Sequence, residues 1–263
     1  MKKNLFFYLC MAVFMSITIS CKDDDDDNPP VVEASLIKTI SLDYDGTGAD
    51  VEGWEFIYNA SDKVTSIINT YNGTVEDTIL YDYTQAGKLI ITKGGNPTTY
   101  ELDANGRVSK ELWVADGSEY EGYTYNADGI LVKIVEHYGG ADHLKYDLTV
   151  ANKNVTNRIR YEDDGVTVRE DREFSYTTGD NASNIQQIYA VDSEWKPVGG
   201  LFGEASAKLA SGFVRHITAD PLSAYGVTFE YTFDAKNRPA TITKDGTSSG
   251  GPYTEVLSYT YYE

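Results

Sequence analysis

The sequence predicts an all-β protein: an antiparallel meander of hairpin repeats that curls toward a barrel or a sandwich, with one short helix near residues 204–210. Three observations carry this expectation. Large apolar residues recur two apart, as in Trp54-x-Phe56-x-Tyr58, Tyr81-x-Tyr83 and Tyr123-x-Tyr125, a spacing that puts both side chains on one face of a strand. The same segments are rich in aromatic and β-branched residues, which favour strand over helix. Between them lie short polar turns with Asp, Asn or Gly where a left-handed residue closes a hairpin.

The chain opens on a different pattern. Lys2 and Lys3 precede an apolar stretch over residues 5–19, the length of a signal-peptide hydrophobic region and short for a spanning helix. Ser20 then precedes Cys21, and Cys21 is followed by Lys22 and five aspartates at 23–27. The run Thr18-Ile19-Ser20-Cys21 resembles a bacterial lipoprotein lipobox, with Thr18 where that family usually carries Leu or Val. Cys21-Lys22-Asp23-Asp24 resembles the export signal of Bacteroidetes surface lipoproteins. The resemblance implies a signal peptide over 1–20, lipidation of Cys21, and display on the outer membrane facing the cell exterior. A diacylated cysteine supplies the multi-chain anchoring that one acyl chain cannot. Residues 21–34, with the aspartate run and Pro29-Pro30, read as the lipidated cysteine and an acidic tether. A single β-repeat domain follows over 35–263.

Composition excludes several functions. The chain has two cysteines. Cys10 falls in the leader and Cys21 at the anchor, so disulfides, thiol nucleophiles and zinc–thiolate sites are not expected in the domain. A formal charge of −19 repels phosphate backbones, which argues against nucleic acid, and repels anionic headgroups.

Within the domain the repeat has a recognisable turn. Four residues after the last apolar anchor comes Asp62, Gly87, Gly106, Gly129 or Asn237, and a basic residue follows in four of the five (Lys63, Lys88, Arg107, Arg238). Asp103, Asn126 and Asp234 inside the turns can bond their own backbone. This suits a type I turn closed by a left-handed residue as a bulge. The return strands are 64–67, 89–91, 108–112, 131–135 and 240–242. Leu102-Asp103-Ala104-Asn105-Gly106-Arg107-Val108 and Tyr125-Asn126-Ala127-Asp128-Gly129-Ile130-Leu131 resemble the YD repeats of RHS-type proteins, which read tyrosine, Asp or Asn, two residues, glycine, a base, then leucine. The Tyr-Asp pair is mostly lost here, and Ile130 stands where a base is expected. With the leader, the chain resembles Bacteroidetes surface lipoproteins that carry such degenerate hairpin repeats. That resemblance implies a curled antiparallel meander and no activity.

One segment, 195–221, breaks the pattern. Its stretch Glu204-Ala205-Ser206-Ala207-Lys208-Leu209-Ala210 has good helix formers, and such an insertion commonly caps a barrel end or carries a binding site.

Candidate chemistry is sparse. His137 and His143 flank a hairpin loop in which the two imidazoles could face each other near Asp142; two solvated histidines at a hairpin mouth is the better-supported reading, and no metal is expected. Asp103-x-Asn105-Gly106 and Asn126-x-Asp128-Gly129 look like the start of a calcium loop, but the twelfth positions are Val114 and His137 rather than an acid, so they read as turns. No nucleophile elbow, Ser-x-x-Lys pair or phosphate loop is present. The clusters Glu162-Asp163-Asp164 and Glu170-Asp171-x-Glu173 read as solvated surface. Asp77-Thr78-Ile79 resembles a short O-glycosylation motif. Aromatic rings offer the best binding chemistry: Trp113 and Trp195 fall outside the repeated anchors and are the candidate ligand-binding residues, with closure of the core ends as the alternative. The sequence therefore points to a non-enzymatic, cofactor-free cell-surface lipoprotein that binds an extracellular ligand, a glycan first. The alternative is a structural or assembly component that docks another envelope protein.

Overall fold

A computed structural model describes residues 36–186, 196, 198–218, 220–248 and 251–263. Among them, sixteen strands form one antiparallel sheet closed on itself. The first eight are β1 (Ile37–Asp43), β2 (Val51–Tyr58), β3 (Val64–Tyr71), β4 (Thr74–Asp82), β5 (Lys88–Lys93), β6 (Asn96–Leu102), β7 (Val108–Leu112) and β8 (Tyr120–Tyr125). The rest are β9 (Leu131–Tyr138), β10 (Ala141–Ala151), β11 (Asn154–Tyr161), β12 (Val168–Asp180), β13 (Lys208–Ile217), β14 (Asp220–Phe233), β15 (Pro239–Ser248) and β16 (Gly251–Tyr261). Each strand pairs with the next in sequence. β16 returns to β1, with Tyr259 opposite Ile40 and Leu257 opposite Leu42. Of the two expected outcomes, the sheet takes the barrel, which leaves no edge strand exposed.

Because strand direction alternates, the connections sort onto two ends. One end carries tight two-residue turns, Asn72-Gly73, Gly94-Gly95 and Gly139-Gly140, with positive φ at both residues, the geometry that matches strand twist in a hairpin. The other end carries the longer turns picked out in the sequence, and Asp62, Gly87, Gly106, Gly129 and Asn237 all adopt positive φ. Four of these turns share one hydrogen-bond pattern. In each, the left-handed residue's N–H donates to the carbonyl three residues back, as Gly106 does to Asp103 and Asn237 to Asp234. The Asx side chain also accepts from the backbone N–H four residues on, at Lys63, Arg107, Ile130 and Arg238.

A tyrosine completes the device. Tyr58, Tyr125 and Tyr261 donate their hydroxyls to the first carbonyl of the preceding strand, at Ile37, Val108 and Pro239, at 2.7–2.8 Å. Tyr176 and Tyr231 do the same to Val155 and Ala210 near the starts of β11 and β13. Arg107 and Arg238 lie over the Tyr125 and Tyr261 rings, each 4.3 Å from the centroid. Each tyrosine thus ties one two-strand unit together, and Tyr125 and Tyr261 also seat the arginine of a neighbouring turn.

Alternate residues point inward. Phe56, Ile67, Ile79, Leu89, Val108, Ile134 and Leu257 are fully buried and belong to one connected apolar cluster. Sixteen strands enclose a wide lumen when the interior is empty; here the connection between β12 and β13 helps fill it. Its Leu201, Phe202 and Ile185 join the cluster, and Phe202 packs edge-on against Tyr100 and Tyr123. The segment crosses the long-turn end, accepting from Val108 N–H through the Leu201 carbonyl and donating from Glu204 and Ala207 to the carbonyls of Gly129 and Lys153. One end of the barrel is therefore capped.

The expected helix at 204–210 does not form. Glu204 makes a parallel bridge to Ile130 and Lys208–Ala210 begin β13. The backbone there is claimed by the barrel rim: Ala205 donates to Asn184, Lys208 donates to Asn154, and the Ser206 hydroxyl accepts from Val155. Tertiary pairing overrides a helix propensity worth only tenths of a kcal/mol per residue. The break in the repeat also sits earlier than expected, at 181–207, because 208–217 and 220–233 are strands.

Candidate functional site

Inward-facing residues divide by depth. Toward the capped end they are apolar. Toward the open end they are charged, and the charges segregate. On β7, β8 and β9, Glu111, Glu121 and Glu136 stand opposite one another in register. Like charges so placed repel. They are held by Lys145, which bonds Glu121 and Glu136, by the Tyr123 hydroxyl on Glu121, and by Lys196 of the cap, 3.5 Å from Glu111. Burial alone would lower the Lys145 pKa, but the two carboxylates outweigh it and hold the ammonium charged.

The opposite charge lines β11, β12 and β13. Arg158, Arg172 and Arg215 form a cross-strand row in register. All three reach one carboxylate, Glu170, whose side chain is 1% exposed. Arg158 and Arg172 share one of its oxygens at 2.6 Å, and Arg215 takes the other through Nε at 2.7 Å. Burial would raise the Glu170 pKa, yet the three guanidiniums hold it below the usual carboxylate value. Burial and the neighbouring Arg158 charge pull Arg172 down to about 10. Arg158 is itself buried, and its Nε has no partner among the described residues.

Beside this row a cavity of about 310 Å³ opens between β12 and β16, lined by Arg172, Arg215, Lys244, Glu255, Tyr225 and Tyr253, with Phe213 and Phe229 behind. Lys244 and Glu255 face each other across β15 and β16 at 3.4 Å. The arrangement suits recognition of a small polar ligand with an anionic group: fixed cations, aromatic faces and a few hydrogen-bonding groups in a pre-formed concavity.

The sequence candidates fall elsewhere. Trp113 is 44% exposed in the loop after β7, at the open end, far in strand order from the arginine row. Trp195 and Cys21 lie outside the described residues. His137 and His143 do not face each other. With only Gly139-Gly140 in the turn, His137 pairs with Asp142 and His143 with Glu136, which puts the imidazoles on opposite faces. His137 stacks on Tyr120 outside and bonds Asp142 at 2.6 Å, and His143 stacks on Tyr138. Among the described residues no His, Cys, Asp and Glu cluster could hold a metal. Asp103 and Asn126 act as turn caps, and Thr78 is exposed on β4.

The sequence reading missed the arginine row. Its signal was the alternation Arg158-x-Arg160 and Glu170-x-Arg172, charges at the period-two positions where this chain otherwise places core residues.

No protein-family model matches the chain, and no curated protein does. Solved structures share its fold. A porin-like protein from Bacteroides uniformis ATCC 8492 is 18% identical with a TM-score of 0.65, covering 86% of this chain and 98% of that one. A porin-like protein from Bacteroides vulgatus ATCC 8482 is 13% identical with a TM-score of 0.55, covering 87% and 99%. At these identities the likeness is one of fold.

Proposed function

We propose that this protein is a non-enzymatic surface lipoprotein, held at the outer face of the outer membrane by lipid on Cys21 and the tether over 21–34, whose barrel forms a cup for an extracellular ligand, a glycan before other classes. One observation carries the reading: charged side chains stand on the outer wall, while the interior is apolar toward the end that is capped. A membrane-spanning barrel needs an apolar outer belt about 25 Å tall. Here Glu55, Asp82, Lys133, Asp147, Glu173 and Glu230 stand exposed on the outer face of six strands between β2 and β14. That pattern supports a barrel bathed in water and tethered by its N-terminus, with the porin-like likeness extending to architecture and not to conduction.

We read the site as one for binding: turn-capping hydrogen bonds lower the Asp82, Asp116 and Asp164 carboxyls and arginines lower Glu170, which keeps them as fixed anions. The two-strand unit with its Asx turn and reaching tyrosine is the structural counterpart we assign to the degenerate YD repeat.

Retention on immobilised plant, host and microbial polysaccharides tests the reading. The protein is expected to be held by at least one, and Trp113→Ala or Trp195→Ala, at the proposed aromatic contacts, is expected to weaken retention. Passage through every polysaccharide unretained would sink the glycan assignment and turn the search to an envelope protein.

A further inference from the structure

The geometry points to a carboxylate-bearing sugar as the ligand of the cup, its carboxylate seated on the arginine row and its ring against Tyr225 and Tyr253; the inference rests on the glycan-binding reading above. The first ground is charge. In a chain whose 41 acidic residues outnumber 22 basic ones, Arg158, Arg172 and Arg215 stand side by side and share the single Glu170 carboxylate. Cations directly opposite one another across strands destabilise a sheet, and a buried charge without full compensation is costly. The row has capacity for a second anion.

The second ground is shape. Arg172 and Arg215 are wall residues of the 310 Å³ cavity, and a guanidinium presents paired N–H donors that match a planar carboxylate. Arg215 is a third exposed on its side chain, against 3% for Arg158, so it is the guanidinium an incoming ligand meets first. The volume sits at the lower end for small-molecule sites, which limits the occupant to about one sugar residue or a chain end.

The third ground is the remaining wall. Tyr225 and Tyr253 offer flat faces with polar tips, suited to a ring that is apolar on its C–H face and polar at its edge. Glu255 and Thr247 supply an acceptor and a donor–acceptor for hydroxyls. A bare inorganic anion would leave this half of the cavity unused.

Calorimetric titration of the full chain with D-galacturonate, D-galactose and acetate tests the assignment. Galacturonate is expected to bind at least about tenfold more tightly than either of the others, the difference one charge-assisted pair makes. Arg215→Gln, which leaves Arg158 and Arg172 on Glu170, is expected to remove that preference. Tyr225→Ala, which leaves every charge in place, is expected to weaken both sugars alike; a single cooperative thermal transition confirms that each variant folds. Equal affinity for the two sugars, acetate binding as tightly as galacturonate, or an Arg215→Gln variant that keeps its preference overturns the inference. Retention on a neutral polysaccharide with no preference for galacturonate overturns it while leaving the glycan reading intact, whereas no retention on any polysaccharide and no binding of either sugar overturns both.

Discussion

Glu170 holds three guanidiniums together, and its removal leaves all three without that counterion. Glu170→Gln keeps the volume and discards the charge, leaving Arg158, Arg172 and Arg215 opposed without a counterion. Breaking a buried ion pair from one side costs on the order of 3–5 kcal/mol, and urea unfolding should report a loss of that size. The same interaction has a pH signature. Because the folded pKa of Glu170 lies below its ordinary 4.5, its contribution is present above that value and fades as pH falls through the depressed one. The native protein should therefore lose stability below about pH 4.5 more steeply than Glu170→Gln does. This residue was hidden in the sequence for a physical reason. Its partners lie at 158, 172 and 215 on three strands, and in so acidic a chain Glu170-Asp171-x-Glu173 reads as ordinary surface. Period two sends Glu170 inward while Asp171 and Glu173 face out. The same parity governs the histidines, since a two-residue turn fixes His137 and His143 on opposite faces.

At the scale of elements, the turns were legible and the cap was not. A positive-φ residue four positions after an apolar anchor is local chemistry, and it appears in the structure at Asp62, Gly87, Gly106, Gly129 and Asn237. The cap, in its described residues 181–186 and 198–207, depends on hydrogen bonds to distant turns, so its helix-forming composition at 204–210 carried no weight against them. Gly203 shows how tightly the cap is seated. Its φ is +88°, and a Cβ there would lie 2.4 Å from the Gly129 carbonyl oxygen and 2.8 Å from the Tyr125 ring. Backbone and a packed ring cannot yield as a flexible side chain does. Gly203→Ala should cost about 1–3 kcal/mol, the range for forced overpacking. Gly73→Ala is the matched control, with φ +77° and open space around the site; it should cost less, and thermal unfolding of the pair isolates the steric part.

At the scale of the whole molecule, the decisive property is which face of the wall is apolar. The alternation that predicted strands also predicted one buried face, but a sequence with period two reads the same whether that face turns inward around a core or outward to lipid. The closed sheet resolves the choice: the apolar set, from Ile40 and Trp54 to Leu257, lies inside, and the exposed outer residues include acids and bases at mid-strand. On the proposed reading the outside of the barrel meets water and the lipid at Cys21 is its hold on the membrane. Cell fractionation tests this directly. The native chain should sediment with the outer membrane, while residues 22–263 exported behind an ordinary cleavable leader should appear in the soluble fraction without detergent. If the exported domain instead remains embedded in the membrane and resists alkaline extraction, the barrel spans the bilayer and the account is wrong.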